Sequence, residues 1–141
     1  MIYHSVNAEI DTLDIIKNAL TSGKQVYLPT VSGKIMEFYR IHDLDNLVIG
    51  KFAGIPEPHK TEKYTGTSAL CITPALCHDR HGYRIGYGGG YYDRFLQDFG
   101  GTSIGLCRQE YLFDTIEHEQ FDTPVDIIVT EKEVIPIEKR V

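Results

Sequence analysis

Five of the 13 glycines fall within nine residues, Gly82-Tyr-Arg-Ile-Gly-Tyr-Gly-Gly-Gly90, and a basic side chain, Arg84, stands among them. Glycines let a backbone come close to a ligand and adopt left-handed conformations, and free N–H groups ahead of a helix favour an anion. The Arg84 guanidinium offers a fixed fork of donors that suits phosphate. The spacing misses the dinucleotide fingerprint, whose last glycine would fall on Tyr91, and lacks the Gly-Lys-Ser/Thr ending of a P-loop. A tight structural turn explains a glycine run equally well.

The elements that must position this loop follow from periodicity. Met1–Val6 reads as a strand. Asp11 can cap a helix carrying Leu13, Ile16 and Leu20, widened by Ile15 and Ala19 and stopped at Gly23. Residues 25–28 read as a buried strand ended by Pro29. Residues 35–41 alternate as a strand with two faces, and 47–49 are a short one. Residues 54–68 have no period and form a loop. Further strands are expected at 69–73, 102–107 and 126–130, with a helix at 91–99. Strands alternating with helices point to a mainly parallel sheet with helical crossovers.

Composition narrows the class. A chain of 141 residues with 42% apolar and 24% charged residues fits one ordinary globular domain. There is no run long enough to span a membrane, and the start lacks a signal peptide's regions. With 14 basic against 20 acidic residues the net charge is −6, which argues against general affinity for nucleic acid. Three cysteines without a CxxC spacing suit a reducing cytoplasm. Cys77-His78-Asp79 with His81 is poor evidence for zinc and reads as loop. The run Glu131–Glu133 and the tail 138–141 read as solvated surface.

The stretch Thr73–Leu96, above all Arg84-Ile-Gly-Tyr-Gly-Gly-Gly-Tyr-Tyr-Asp-Arg94, resembles the signature of the 5-formyltetrahydrofolate cyclo-ligases, also called methenyltetrahydrofolate synthetases. Glu9–Thr12, Leu28-Pro29, Met36-Glu-Phe38, Gly54–Pro58, Asp122, Val125-Asp126 and Thr130-Glu131 agree in order. The resemblance implies a three-layer α/β/α fold with a mainly parallel sheet, Rossmann-like and of the NagB/RpiA type. It implies MgATP-driven phosphorylation of the formyl oxygen of 5-formyltetrahydrofolate, ring closure to 5,10-methenyltetrahydrofolate, and release of ADP and phosphate. Such chemistry needs positioning and charge neutralisation more than a strong base.

Residue by residue, the resemblance assigns catalysis to Arg84 and Asp93. ATP contacts fall to Arg84, Gly86, Tyr87, Gly88, Gly89, Gly90, Tyr91 and Tyr92. Reduced folate falls to His4, Glu9, Met36, Phe38 and Tyr91, and Mg²⁺ to Asp93 and Asp122. Each has a plainer explanation on its own. Asp93 suits a helix's first turn, Asp122 a turn before Pro124, Glu9 a solvated charge, and Met36 with Phe38 the core side of a strand. Ala75, His78, Glu117 and Phe121 depart from the family pattern, where glycine, phenylalanine, proline and histidine are usual. The family's basic N-terminal segment, which supplies Lys and Arg to ATP phosphates, has no counterpart here, so residues 1–141 are expected to be one shortened domain.

The expected partners are therefore ATP, Mg²⁺ and a reduced folate, with neither nucleic acid nor membrane, in a cytoplasmic monomer or weak dimer. A catalytically weak folate or nucleotide binder is the alternative, because the ATP-contacting segment is absent. An α/β enzyme acting on a sugar phosphate would need an acid/base pair beside the loop.

Overall fold

The computed structural model describes residues 1–51 and 54–138, so residues 139–141 of the expected solvated tail lie outside the described residues. The chain divides into two compact units, Met1–Gly66 and Thr67–Val141, and each is described by itself.

In the first unit, α1 (Leu13–Thr21) is followed by β1 (Val26–Ser32), β2 (Ile35–Ile41), β3 (Val48–Ile49) and β4 (Pro56–Glu57). The helix forms where the apolar spacing predicts it, with Ile16 fully buried. Asp11 Oδ1 accepts the Leu13 N–H at 2.9 Å, while Thr12 at the cap position points inward. The Thr12 hydroxyl donates to the Tyr3 carbonyl at 2.7 Å and accepts the Ser5 N–H at 3.1 Å. That is why Met1–Val6 is not the expected strand: its backbone groups pair with a side chain, and Ile2 alone bridges, donating to the Tyr27 carbonyl.

β1 does not stop at Pro29 but runs through it, paired antiparallel with β2 so that Pro29 faces Phe38. The flanking alternate residues explain the tolerance. The Tyr27 carbonyl and the Val31 N–H make their bonds to Ile2 and Glu57, away from β2, so Pro29 lacks an N–H only on that outer side. Leu28, Phe38 and Ile41 are buried in this unit. The expected loop at 54–68 also contributes Pro56–Glu57 to a short pairing with β3.

The second unit contains β5 (Leu70–Thr73), β6 (Cys77–Asp79), β7 (Arg84–Ile85), α2 (Tyr91–Gln97), β8 (Thr102–Leu106), β9 (Leu112–Phe113), β10 (Ile127–Val129) and β11 (Val134–Pro136). Its larger sheet runs β11-β10-β8-β5. β5, β8 and β10 are parallel, but β11 returns antiparallel to β10. The sheets are thus mixed rather than mainly parallel. The short Thr130–Glu133 turn dictates it: the Thr130 hydroxyl oxygen accepts the Lys132 and Glu133 N–H groups, and four residues cannot make a parallel crossover. The run Glu131–Glu133 stays at the surface as expected, where Glu131 accepts the Gln109 N–H and Glu133 pairs with Arg80. Ser103 and Asp126 lock β8 to β10, with the Ser103 N–H donating to Asp126 Oδ2 at 2.8 Å. Leu96, Cys107, Val125 and Ile128 form the core there, with Phe95, Phe99 and Leu112 packed on it.

The Cys77–Asp79 segment is strand β6 rather than loop, and both His78 and Asp79 are fully buried. The His78 ring lies on Gly105 of β8 so closely that a Cβ there would collide with Nε2. Burial, helped by the nearby Arg84 charge, brings the His78 pKa down to about 4 from an ordinary 6.5. The imidazole is therefore neutral in the fold, and the unfolded chain takes up the proton first as pH falls below 6.5. The folded state should lose roughly 3 kcal/mol from this residue between pH 6.5 and 4, and nothing from it above 6.5. Urea unfolding across that range should show a smaller loss of stability in His78→Phe than in the wild type; an unchanged slope would contradict the assignment.

Candidate functional site

The residues expected to handle ATP all lie in the second unit, and their placement starts from Asp79. Its Oδ1 accepts the His81 N–H at 2.9 Å and the Tyr83 N–H at 3.0 Å, and its Oδ2 accepts the Ile116 N–H at 3.1 Å. A carboxylate this buried is tolerable because backbone donors replace its water. It closes the 79–83 loop and so delivers the chain into β7. There Arg84 pairs with His78 across the ladder, and Ile85 with Cys77.

Arg84 is thus a strand residue turned inward, not part of the open loop. Its side chain is only 4% exposed, and Nη2 donates to Asp93 Oδ1 at 3.3 Å. The guanidinium lies 5.5 Å from the centroid of the Tyr92 ring. Burial lowers the Arg84 pKa, while Asp93, Tyr92 and Asp122 favour its charged form. An arginine stays protonated under such conditions. Nη1 is buried without a hydrogen-bond partner among the described residues, so one arm of the fork is committed to Asp93 and the other is unsatisfied.

Residues 85–90, by contrast, are all exposed. Gly90 takes the cap position of α2 with φ +67°, a left-handed conformation that a side chain would strain. Tyr91 follows, its ring 5.0 Å from the Arg94 guanidinium. α2 has seven residues, so its dipole is small.

Asp93 is the meeting point. Besides Arg84, its Oδ1 accepts the Thr123 N–H at 3.1 Å, and the Thr123 hydroxyl donates to the Asp93 carbonyl at 3.2 Å. Asp122 stands next in the chain, its Oδ2 accepting the Glu119 N–H at 2.9 Å. Among the described residues, both hydrogen bonds to the Asp93 carboxylate fall on Oδ1, and the one to Asp122 falls on Oδ2. Each carboxylate thus keeps an oxygen to offer. Among the described residues no three His, Cys, Asp or Glu side chains cluster to hold a metal. The set present is all-oxygen and two carboxylates strong, which fits Mg²⁺ held jointly with phosphate oxygens and water. It does not fit zinc.

Of the residues expected to take folate, His4, Glu9, Met36 and Phe38 lie in the first unit and Tyr91 lies in the second. Glu9 Oε1 accepts the Val6 N–H at 2.8 Å and closes a turn. Partial burial raises the Glu9 pKa, outweighing that hydrogen bond and the influence of His4, which lower it. His4 is half-buried, with Nδ1 3.0 Å from the Ser5 carbonyl. Met36 and Phe38 share a face of β2, with Met36 half-buried and Phe38 fully in the core. Asp79, which holds the turn into Arg84, and Thr123, which bonds Asp93, are residues that sequence reasoning passes over. A buried Asp ahead of a glycine turn is some signal for the first; nothing marks the second. A cavity of about 570 Å³ opens between Arg108–Glu110 and Glu131–Lys132, and none of the expected site residues lines it.

Comparison with known proteins matches residues 1–131 to the model of the 5-formyltetrahydrofolate cyclo-ligase family. A probable 5-formyltetrahydrofolate cyclo-ligase of Caenorhabditis elegans is 32% identical over 151 residues, spanning 95% of this chain and 73% of its own. The 5-formyltetrahydrofolate cyclo-ligase of Escherichia coli K12 is 29% identical over 143 residues, with 94% and 78% covered. The NMR structure of Aquifex aeolicus 5,10-methenyltetrahydrofolate synthetase superimposes with a TM-score of 0.79 at 30% identity, over 99% of this chain and 72% of that one. The mixed α/β fold is therefore that of solved methenyltetrahydrofolate synthetases.

Because Asp79 spends both oxygens on backbone donors, Asp79→Asn turns one acceptor into a donor facing a buried N–H. Urea unfolding should show a loss of about 2–3 kcal/mol. A change under about 0.5 kcal/mol, the range of an ordinary surface substitution, would show that the loop into Arg84 does not depend on it.

Proposed function

We propose a function on one premise: the chain belongs to the 5-formyltetrahydrofolate cyclo-ligase family, and that is a family of enzymes. It converts 5-formyltetrahydrofolate to 5,10-methenyltetrahydrofolate at the expense of ATP. The γ-phosphoryl group passes to the formyl oxygen and ADP leaves. The neighbouring nitrogen then attacks the activated carbon, and the oxygen departs with phosphate. Residues 1–141 act as one cyclo-ligase domain, of the three-layer Rossmann-like, NagB/RpiA type that the family likeness suggests.

The observation that carries this proposal is the buried Arg84 paired with Asp93 at the foot of an exposed glycine loop. Arg84 presents Nη1 to a phosphate oxygen while Asp93 keeps the guanidinium oriented. Gly86, Tyr87, Gly88, Gly89 and Gly90 follow the phosphates with their backbone, and Tyr91 and Tyr92 present flat rings to the ligands. Asp93 and Asp122 would hold Mg²⁺, which when bound neutralises charge on the phosphate oxygens. Glu9 accepts the paired donors of the pterin, with His4, Met36 and Phe38 completing that site. No helix among the described residues is long and apolar enough to cross a membrane, and the three cysteines are free. We place the enzyme in the cytoplasm.

Spectrophotometric conversion of 5-formyltetrahydrofolate to the methenyl form with MgATP tests this directly. Arg84→Ala and Asp93→Ala should each lose at least about 100-fold in kcat, as removal of a transition-state donor does. Glu9→Gln should instead raise KM for the folate by about tenfold or more, the worth of a charged hydrogen bond. Because burial raises the Glu9 pKa, folate affinity should fall with decreasing pH sooner than an ordinary carboxylate would allow. No turnover, or turnover indifferent to Arg84 and Asp93, would overturn the assignment.

A further inference from the structure

We propose that Thr123 is a positioning residue for the metal-bound nucleotide, acting through Asp93; this rests on the function proposed above. The segment 119–125 is tied down point by point. Asp122 closes a turn on Glu119, its N–H donating to the Glu119 carbonyl at 3.1 Å and its Oδ2 accepting the Glu119 N–H. Gln97 of α2 donates to the Phe121 carbonyl at 3.2 Å, and the Val125 N–H donates to the Gly82 carbonyl at 3.0 Å. Pro124 confines Thr123 to extended backbone.

Within that frame Thr123 alone reaches Asp93, and it does so twice. Its N–H fixes which carboxylate oxygen turns toward Arg84, and its hydroxyl holds the backbone that carries the carboxylate. The residue next to Asp122 thereby orients Asp93, so the two carboxylates are set by one dipeptide whose Thr123 lies thirty residues beyond Asp93. Supports of this kind, one bond behind a ligand, are worth about 10–100-fold in metal affinity. The backbone N–H survives any substitution but proline. The hydroxyl is the part that mutation can remove, and the Gln97–Phe121 and Val125–Gly82 bonds keep the segment in place when it goes.

The test measures binding without turnover. Mn²⁺ is titrated by electron paramagnetic resonance into wild type, Thr123→Val and Thr123→Ser in the presence of ADP. ADP binding without metal and thermal unfolding are recorded on the same proteins. Thr123→Val should need about tenfold more Mn²⁺ for equal occupancy, with metal-free ADP affinity unchanged, and Thr123→Ser should restore binding to near wild type. Equal Mn²⁺ affinity in wild type and Thr123→Val overturns the proposal, as does a serine variant as weak as the valine one. If the valine variant fails to fold, Thr123→Ala against Thr123→Ser makes the same comparison. A wild type that binds no Mn²⁺ with ADP overturns the functional reading itself, and this proposal with it.

Discussion

A guanidinium that is 4% exposed needs a counter-charge, and the second unit is built around supplying one. An isolated charge at such a depth costs several kcal/mol, and a partner recovers that only if its geometry is held. Asp93 is held by its place in α2 and by Thr123, while Arg84 is held by β7, itself set by the Asp79 loop. The pair is asymmetric. Asp93 remains 25% exposed, so it can face a ligand on one side while facing Arg84 on the other.

That asymmetry reconciles two demands on one site. The phosphoryl transfer we propose would need positive charge that does not reorganise as the reaction proceeds, and a buried, paired arginine would provide it. It would also need a backbone that can approach the phosphates, which the exposed Gly86, Gly88, Gly89 and Gly90 would provide. The fixed cation and the approachable loop are therefore adjacent in sequence but opposite in exposure. Had Arg84 belonged to the loop itself, its charge would be solvated and its orientation free.

Much of this was legible beforehand, for identifiable reasons. α1, β2, β5, β8 and β10 are announced by local periodicity or apolar runs, and the structure has them within a few residues of the expected bounds. β6, β7 and β9 were not seen, because strands of two or three residues exist only through distant partners such as His78 with Leu112. Pro29 looked like a strand end because sequence does not reveal which side of a strand lacks a neighbour. At the site, the residue types from Arg84 to Asp93 carried the family likeness, and the structure adds their pairing. Nothing in the sequence says that Arg84 points inward or that Thr123 reaches Asp93, since both depend on contacts set by the tertiary fold.

The dependence of site and fold on one ion pair is measured most directly by a double-mutant cycle on stability. Urea unfolding at neutral pH of wild type, Arg84→Met, Asp93→Asn and the double variant gives the coupling between the two side chains. The expected coupling is at least about 2 kcal/mol, with Asp93→Asn alone costing more than Arg84→Met because it strands a buried charge. Effects that add within about 0.5 kcal/mol would show two independent side chains and contradict the account.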